Sequence, residues 1–168
     1  IANLKEICFL AKKYDAIVMV DDSHGLGVLG ENGIGSIEYN NVVDKVDIVT
    51  GTLGKALGGA SGGYTSGKKE IITWLRQRSR PYLFSNTLAP VITATSIKAL
   101  ELVNKNKNLR KKLQYNSDYF RKHIRDLGFK ISGCNHAIIP VIIKDAKMAK
   151  KLSKELNLKG ILVVSFSY

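Results

Sequence analysis

Lys55 stands among glycines and apolar residues, in Thr52-Leu53-Gly54-Lys55-Ala56-Leu57-Gly58-Gly59. An amine taken out of water loses proton affinity and becomes a usable nucleophile, so this setting suits covalent chemistry at its Nζ. Just before the loop, Ile48-Val49-Thr50 reads as a buried strand. Upstream, Ile17-Val18-Met19-Val20 reads as a second one and ends in Asp21-Asp22-Ser23-His24. Open α/β sheets gather ligands at the carboxyl ends of their strands. A lysine, an aspartate and a histidine at neighbouring strand ends point to a carbonyl cofactor held as a Schiff base.

Taken singly, each residue has an ordinary reading. Lys55 is then a loop lysine, Asp21 or Asp22 a helix cap or solvated carboxylate, and His24 a structural loop histidine. Strand alternation puts Asp21 and Asp22 on opposite faces, so one of them serves the site. An aspartate there would keep a ring nitrogen protonated, and His24 would donate to a phenolate oxygen. Thr52 and the amides of a glycine-rich turn suit a phosphate, against local turn hydrogen bonding for Thr52 and Ser61. Asp21, Asp22 and His24 lack a further ligand at useful spacing, so no metal is expected.

Two phosphate motifs fail on context. Gly25-Leu26-Gly27-Val28-Leu29-Gly30 matches G-x-G-x-x-G, but Asp-Asp-Ser-His separates it from the strand and no good helix start follows. Gly54-Lys55 is not a P-loop, because Ala56 occupies the Ser/Thr position and Val49 the first glycine's.

The elements that position these residues follow a helix–strand rhythm, which indicates a parallel α/β sheet. Ala2–Lys13 has helical apolar spacing and precedes the strand Ala16–Val20. Val46–Thr50 is the next strand, and Gly62–Ser66 resumes as strand after the lysine loop. Lys68–Gln77 reads as helix, Tyr82-Leu83-Phe84-Ser85 as a short strand, and Pro90 opens a helix to about Val103. A long amphipathic helix carries Leu109, Leu113, Phe120, Ile124 and Leu127. Character changes at Gly128. Phe129–Ser132, Ile138–Ile142 and Ile161–Ser165 read as strands around a helix Ala146–Leu156. The expected organisation is 1–127 as part of a large domain and 128–168 as the start of a small α+β domain.

The 168 residues are 45% hydrophobic and 24% charged, which allows a sizeable core and argues against disorder. Cys8 and Cys134 lie far apart without a C-x-x-C pattern, as buried thiols of a reducing compartment do. There is no signal-peptide pattern and no apolar run long enough to span a membrane, so a soluble cytoplasmic protein is expected. The net charge of +12 comes largely from lysines in Asn104–Lys112 and Lys144–Lys159. These read first as solvated helix faces and second as attraction to a phosphate-rich substrate such as coenzyme A. A basic nucleic-acid module is a third reading, but no reader motif or aromatic interleaving supports it. The chain starts without Met inside a helix and ends in an apparent strand, so a fragment of a longer protein is expected.

Three stretches together carry a resemblance: Val20–Gly25, Gly51–Tyr64 and Trp74–Asn86. With His136-Ala137-Ile138-Ile139-Pro140-Val141, the chain resembles, end to end, the α-oxoamine synthases, a family of fold-type I pyridoxal-phosphate enzymes. The Arg78–Asn86 stretch is most similar to members that join glycine and acetyl-CoA, or cleave 2-amino-3-oxobutanoate with CoA in threonine breakdown. Synthases of 8-amino-7-oxononanoate come second and of 5-aminolevulinate third. The resemblance implies that Lys55 forms the Schiff base with pyridoxal 5'-phosphate and shuttles the α-proton. It implies that Asp21 pairs with the pyridine nitrogen, His24 with the ring hydroxyl oxygen and Thr52 with the phosphate. Ser85 and Asn86 would reach the phosphate in the neighbouring subunit of a homodimer. The family's phosphate turn and ring-stacking group would precede Ile1, and its carboxylate-binding arginine would follow Tyr168. The fragment alone is therefore expected to be inactive.

Overall fold

The computed structural model describes residues 1–58, 61–133 and 135–167. It forms two compact units, Ile1–Gln114 and a second from Tyr115 onward, dividing inside a long helix.

The first unit opens with α1 (Leu4–Lys13). Leu4 and Cys8, one turn apart, turn the same face inward, while Lys12 and Lys13 sit in the last turn, where cations suit the helix dipole. β1 (Met19–Asp21) follows, then a loop, the short α2 (Ser36–Tyr39), a 3-10 turn at Val43–Lys45, and β2 (Ile48–Thr52). β1 and β2 pair in parallel, with Met19 opposite Ile48, Val20 opposite Val49 and Asp21 opposite Thr50. β3 (Gly63–Gly67) returns antiparallel on the other side of β2, giving a three-stranded mixed sheet of order β1-β2-β3.

Period-two alternation separates the two faces of this sheet. Val20 and Val49 face a core of Leu4, Cys8, Val18, Ile37 and Val42, with Ala11 and Val46 packed against it. Asp21, Thr50 and Thr65 share a register row on the other face. Asp47 clamps the edge where the strands begin. It accepts from Lys68 Nζ at 2.6 Å and from the Val18 N–H at 2.9 Å.

α3 (Lys69–Arg78), α4 (Arg80–Phe84) and α5 (Pro90–Lys105) follow the sheet. The strand expected over Tyr82–Ser85 is instead α4. Pro81 sits in its first turn, where a fixed φ and a missing N–H favour a helix start, and the Leu83 N–H reaches Ser79 O at 2.9 Å. α6 (Lys107–Asp126) is tied to the loop after β1. The Arg110 guanidinium donates to Val103 O at 2.6 Å and Glu31 O at 2.7 Å, and Lys107 pairs with the Glu31 carboxylate at 2.7 Å.

The second unit holds the rest of α6, a loop region and α7 (Ala146–Leu158). α7 is capped by Asp145, whose carboxylate accepts from the Met148 N–H at 2.6 Å. Buried Arg121 gathers the loop by donating to Gly133 O, His136 O and Ile138 O. The strands expected at Phe129–Ser132 and Ile138–Ile142 shrink to one antiparallel bridge, Ile131 to Val141. Pro140 has no N–H to extend that ladder and contributes only its carbonyl, to Ser132 N. Ile161–Ser165 is not a strand, because it has no strand partner among the described residues. Cys134 lies outside the described residues. No helix among them is long and apolar enough to cross a membrane.

Candidate active site

Asp21 and Asp22 divide their labour as strand alternation predicts. Asp22 is 3% exposed and structural. Its carboxylate accepts from the Ser36 N–H at 2.6 Å, which holds the loop from Ser23 to Gly35 against β1. Gly25 and Gly35 leave room for that carboxylate. A Cβ at either would collide with it, and Gly35 also has φ 113°, a value side-chain-bearing residues rarely adopt.

Asp21 is exposed at the carboxyl end of β1. Its Oδ1 accepts from the Ser23 N–H at 3.0 Å and its Oδ2 from the Thr50 hydroxyl at 3.2 Å. Its pKa lies below the ordinary carboxylate value. The Ser23 backbone N–H lowers it most and the Ser23 hydroxyl next; desolvation opposes them, and the Thr50 hydroxyl and the positive charge of Lys55 add smaller lowering contributions. Asp21 is thus an anion with lone pairs to spare, within the electrostatic reach of Lys55.

The lysine turn hangs from β2. Leu53 and Leu57 are buried on either side and pin it, Leu53 N donates to Gly62 O at 2.9 Å, and Gly58 N donates to Lys55 O at 3.0 Å. Lys55 itself is exposed, so the apolar shielding expected from its neighbours is not supplied by these residues. The two leucines turn inward to anchor the loop and leave the lysine outside. Gly59 and Ala60, part of the same glycine-rich stretch, lie outside the described residues.

Thr52 is half-buried and engaged in its own turn. Its Oγ1 donates to Gly62 O and accepts from the Gly54 N–H, both at 3.2 Å. Donating to a phosphate would require exchanging the Gly62 bond. His24 is exposed in the loop after β1. Ser85 and Asn86 follow α4, exposed, and share no hydrogen bond with the Asp21–Lys55 edge among the described residues. The literal G-x-G-x-x-G run is a series of turns, with Gly27 N bonded to Gly33 O at 2.8 Å, and the next helix begins only at Ser36. Among the described residues no group of three or more His, Cys, Asp or Glu side chains could hold a metal ion.

Two residues escaped the sequence reading. Thr50 bonds the Asp21 carboxylate, and the signal for it is the parallel pairing of two polar residues across β1 and β2. Tyr64 faces Gly51 across β2 and β3, where a Cβ would come within 2.6 Å of its ring. Burial first, then Asp22 and Asp21, raise its phenol pKa, so it stays neutral beside the acid pair.

The family model for aminotransferase class I and II matches residues 1–168, the whole chain. This chain belongs to the aminotransferase class I and II family. Along its full length it is 60% identical to 2-amino-3-ketobutyrate coenzyme A ligase of Escherichia coli (strain K12), of which it covers 42%. It is 46% identical to the mitochondrial ligase of Bos taurus, covering 40% of it, and 46% identical to 8-amino-7-oxononanoate synthase of Petrotoga mobilis, covering 42%. Its structure matches serine palmitoyltransferase of Sphingomonas wittichii with a TM-score of 0.91 at 34% identity, over all of this chain and 42% of that one. A serine palmitoyltransferase solved with a pyridoxal-phosphate internal aldimine also gives 0.91, at 30% identity. The fold is therefore that of fold-type I transferases, as expected, and the solved relatives are α-oxoamine synthases. The chain spans about 42% of the length of its bacterial ligase relatives. Within this family fold, Asp21 at the end of β1 accepts from Thr50 in β2, and Lys55 lies on the turn that leaves β2.

Proposed function

We propose that the protein to which this chain belongs is a pyridoxal-phosphate-dependent acyltransferase of the glycine C-acetyltransferase type. It joins glycine and acetyl-CoA to give 2-amino-3-oxobutanoate and CoA, and runs in reverse during threonine degradation. The observation that carries this reading is Asp21 held at both oxygens at the carboxyl end of β1, with Lys55 on the turn that leaves β2, while Asp22 is spent on structure. The 60% identity to a 2-amino-3-ketobutyrate coenzyme A ligase supports the choice of substrates.

The donor set fits the cofactor. Pyridoxal phosphate supplies an aldehyde that condenses with amines and a ring that withdraws electrons from a carbanion. Lys55 presents a solvent-reachable primary amine on a turn anchored by Leu53 and Leu57, suited first to covalent attachment and then to carrying the glycine α-proton on Nζ. Asp21, anionic and held by two donors, keeps a ring nitrogen protonated. His24, exposed three residues beyond, would bond the ring hydroxyl oxygen. Thr52, with the turn amides, takes the phosphate once its bond to Gly62 is exchanged. Ser85 and Asn86, exposed past α4, serve the phosphate of a second subunit in a homodimer. Residues 128–168 begin the small domain. Cys8, buried and free, suits a reducing compartment, and a cytoplasmic location follows for the bacterial type of relative.

The test uses the full-length protein. A visible absorbance band of lysine-bound cofactor is expected, with loss of that band in Lys55→Ala and glycine-dependent release of CoA from acetyl-CoA. Absence of the band from wild type sinks the cofactor reading. The 46% identity to an 8-amino-7-oxononanoate synthase favours one second reading, in which only longer acyl-CoA thioesters react. That result would overturn the choice of acetyl-CoA and keep the chemistry.

A further inference from the structure

Thr50 occupies the middle of β2, opposite Asp21 across the parallel pair and opposite Thr65 across the antiparallel pair. Registered residues share a face, so a polar row crosses the sheet on the side away from the Val20–Val49 core. Within that row the Thr50 hydroxyl donates to Asp21 Oδ2 at 3.2 Å. The other oxygen, Oδ1, accepts from the Ser23 N–H at 3.0 Å. The two donors come from different segments, one from the chain leaving β1 and the other from the neighbouring strand. The Ser23 hydroxyl adds a third donor on the β1 side, and a carboxylate held from both segments cannot rotate about its Cβ–Cγ bond without giving up these bonds. Each oxygen still keeps acceptor capacity for another N–H. The strand itself does not need a hydroxyl at this position, because a β-branched valine would fill the same shape and suit the strand as well.

We propose that Thr50 is a positioning residue: with the Ser23 N–H, its hydroxyl fixes the plane of the Asp21 carboxylate for pairing with a protonated ring nitrogen. This rests on the cofactor reading above. The Ser23 N–H and hydroxyl favour the charged form of Asp21 most and the Thr50 hydroxyl less, so losing the Thr50 donor loosens the carboxylate and raises its proton affinity together.

The test compares Thr50→Val, which removes the donor at nearly constant shape, with Thr50→Ser, which restores it, in the full-length protein. In cofactor-free protein, the carbon-13 titration of the Asp21 carboxyl should move upward in the valine variant and return to wild type in the serine variant. In loaded enzyme, kcat should fall about tenfold in the valine variant with KM for glycine little changed, and recover with serine. If the valine variant does not fold, Thr50→Ala carries the same comparison. Equal impairment by valine and serine would mean that packing matters and the hydroxyl does not, which overturns the role. An unchanged Asp21 titration in the cofactor-free valine variant overturns it as well. A wild type without lysine-linked absorbance instead overturns the cofactor reading, and the role given to Thr50 goes with it.

Discussion

Two adjacent aspartates meet opposite fates in this chain, one buried and one exposed. Asp22 points inward and satisfies the Ser36 N–H at 2.6 Å, whereas Asp21 is exposed and held at both oxygens. Their substitutions should therefore fail in opposite ways. In the full-length protein, Asp22→Ala leaves a buried N–H without its partner and should cost about 1–3 kcal/mol, read as a lower urea midpoint. Asp21→Asn removes the anion without emptying a buried site. It should leave the urea midpoint close to wild type and lower kcat by roughly a hundredfold, the scale of losing one preorganised electrostatic contact. A large stability loss in Asp21→Asn with activity intact would reverse the assignment. Alternation in the sequence already separates the two residues, because one strand cannot turn successive side chains to the same face. It does not say which one is buried. That depends on Gly25 and Gly35, which clear space for the Asp22 carboxylate. Nor does Lys55 follow its neighbours: Leu53 and Leu57 bury themselves and leave it exposed, which apolar composition alone does not reveal.

At the level of elements, local signals locate most helices and the first strands, and fail where a strand needs a distant partner. α1, α5, α6 and α7 are legible from apolar spacing and from Pro90, and all form. The strands β1 and β2 are legible because both bury one face on the same core. The run Ile161–Ser165 is more apolar still, but without a partner strand among the described residues it stays unpaired. The run at Tyr82–Ser85 is decided by Pro81 instead of by its aromatics. The positions of β1 and β2 depend on the packing of α1 beneath them. Leu4 is 3% exposed and sits one turn from Cys8 on that inner face. Leu4→Ala should therefore cost the full-length protein about 2–5 kcal/mol by opening a cavity under the sheet. Thermal unfolding monitored by circular dichroism measures this, and a midpoint equal to wild type would mean that the core does not depend on α1.

At the scale of the whole molecule, charge sets the pH limits of the fold. The protein is strongly basic, with a net charge of +12, and several of its 14 carboxylates are used in contacts. The Lys68 hydrogen bond first, then the Val18 N–H, lower the Asp47 pKa; Lys107 does the same for Glu31. A carboxyl whose folded pKa is depressed contributes stability above its unfolded value, near 4, and loses it as pH falls through the folded value. Lys68 has the opposite sign. Its pKa is raised, chiefly by the bond to Asp47, so its contribution is complete below the unfolded lysine value, near 10.4, and is lost as pH rises through the folded one. Both partners are exposed enough for salt to weaken the pair. Unfolding midpoints of the full-length protein should therefore be flat between about pH 5 and 9 and fall on both sides. Asp47→Asn should flatten part of the acid fall and part of the alkaline one, because a single pair contributes to both. If the variant alters the acid limb alone, Lys68 draws its stabilisation from elsewhere. The link between β2 and the end of β3 would then be the Lys68 N–H bond to Asp47 O, with the Val18 N–H bond holding the start of β1.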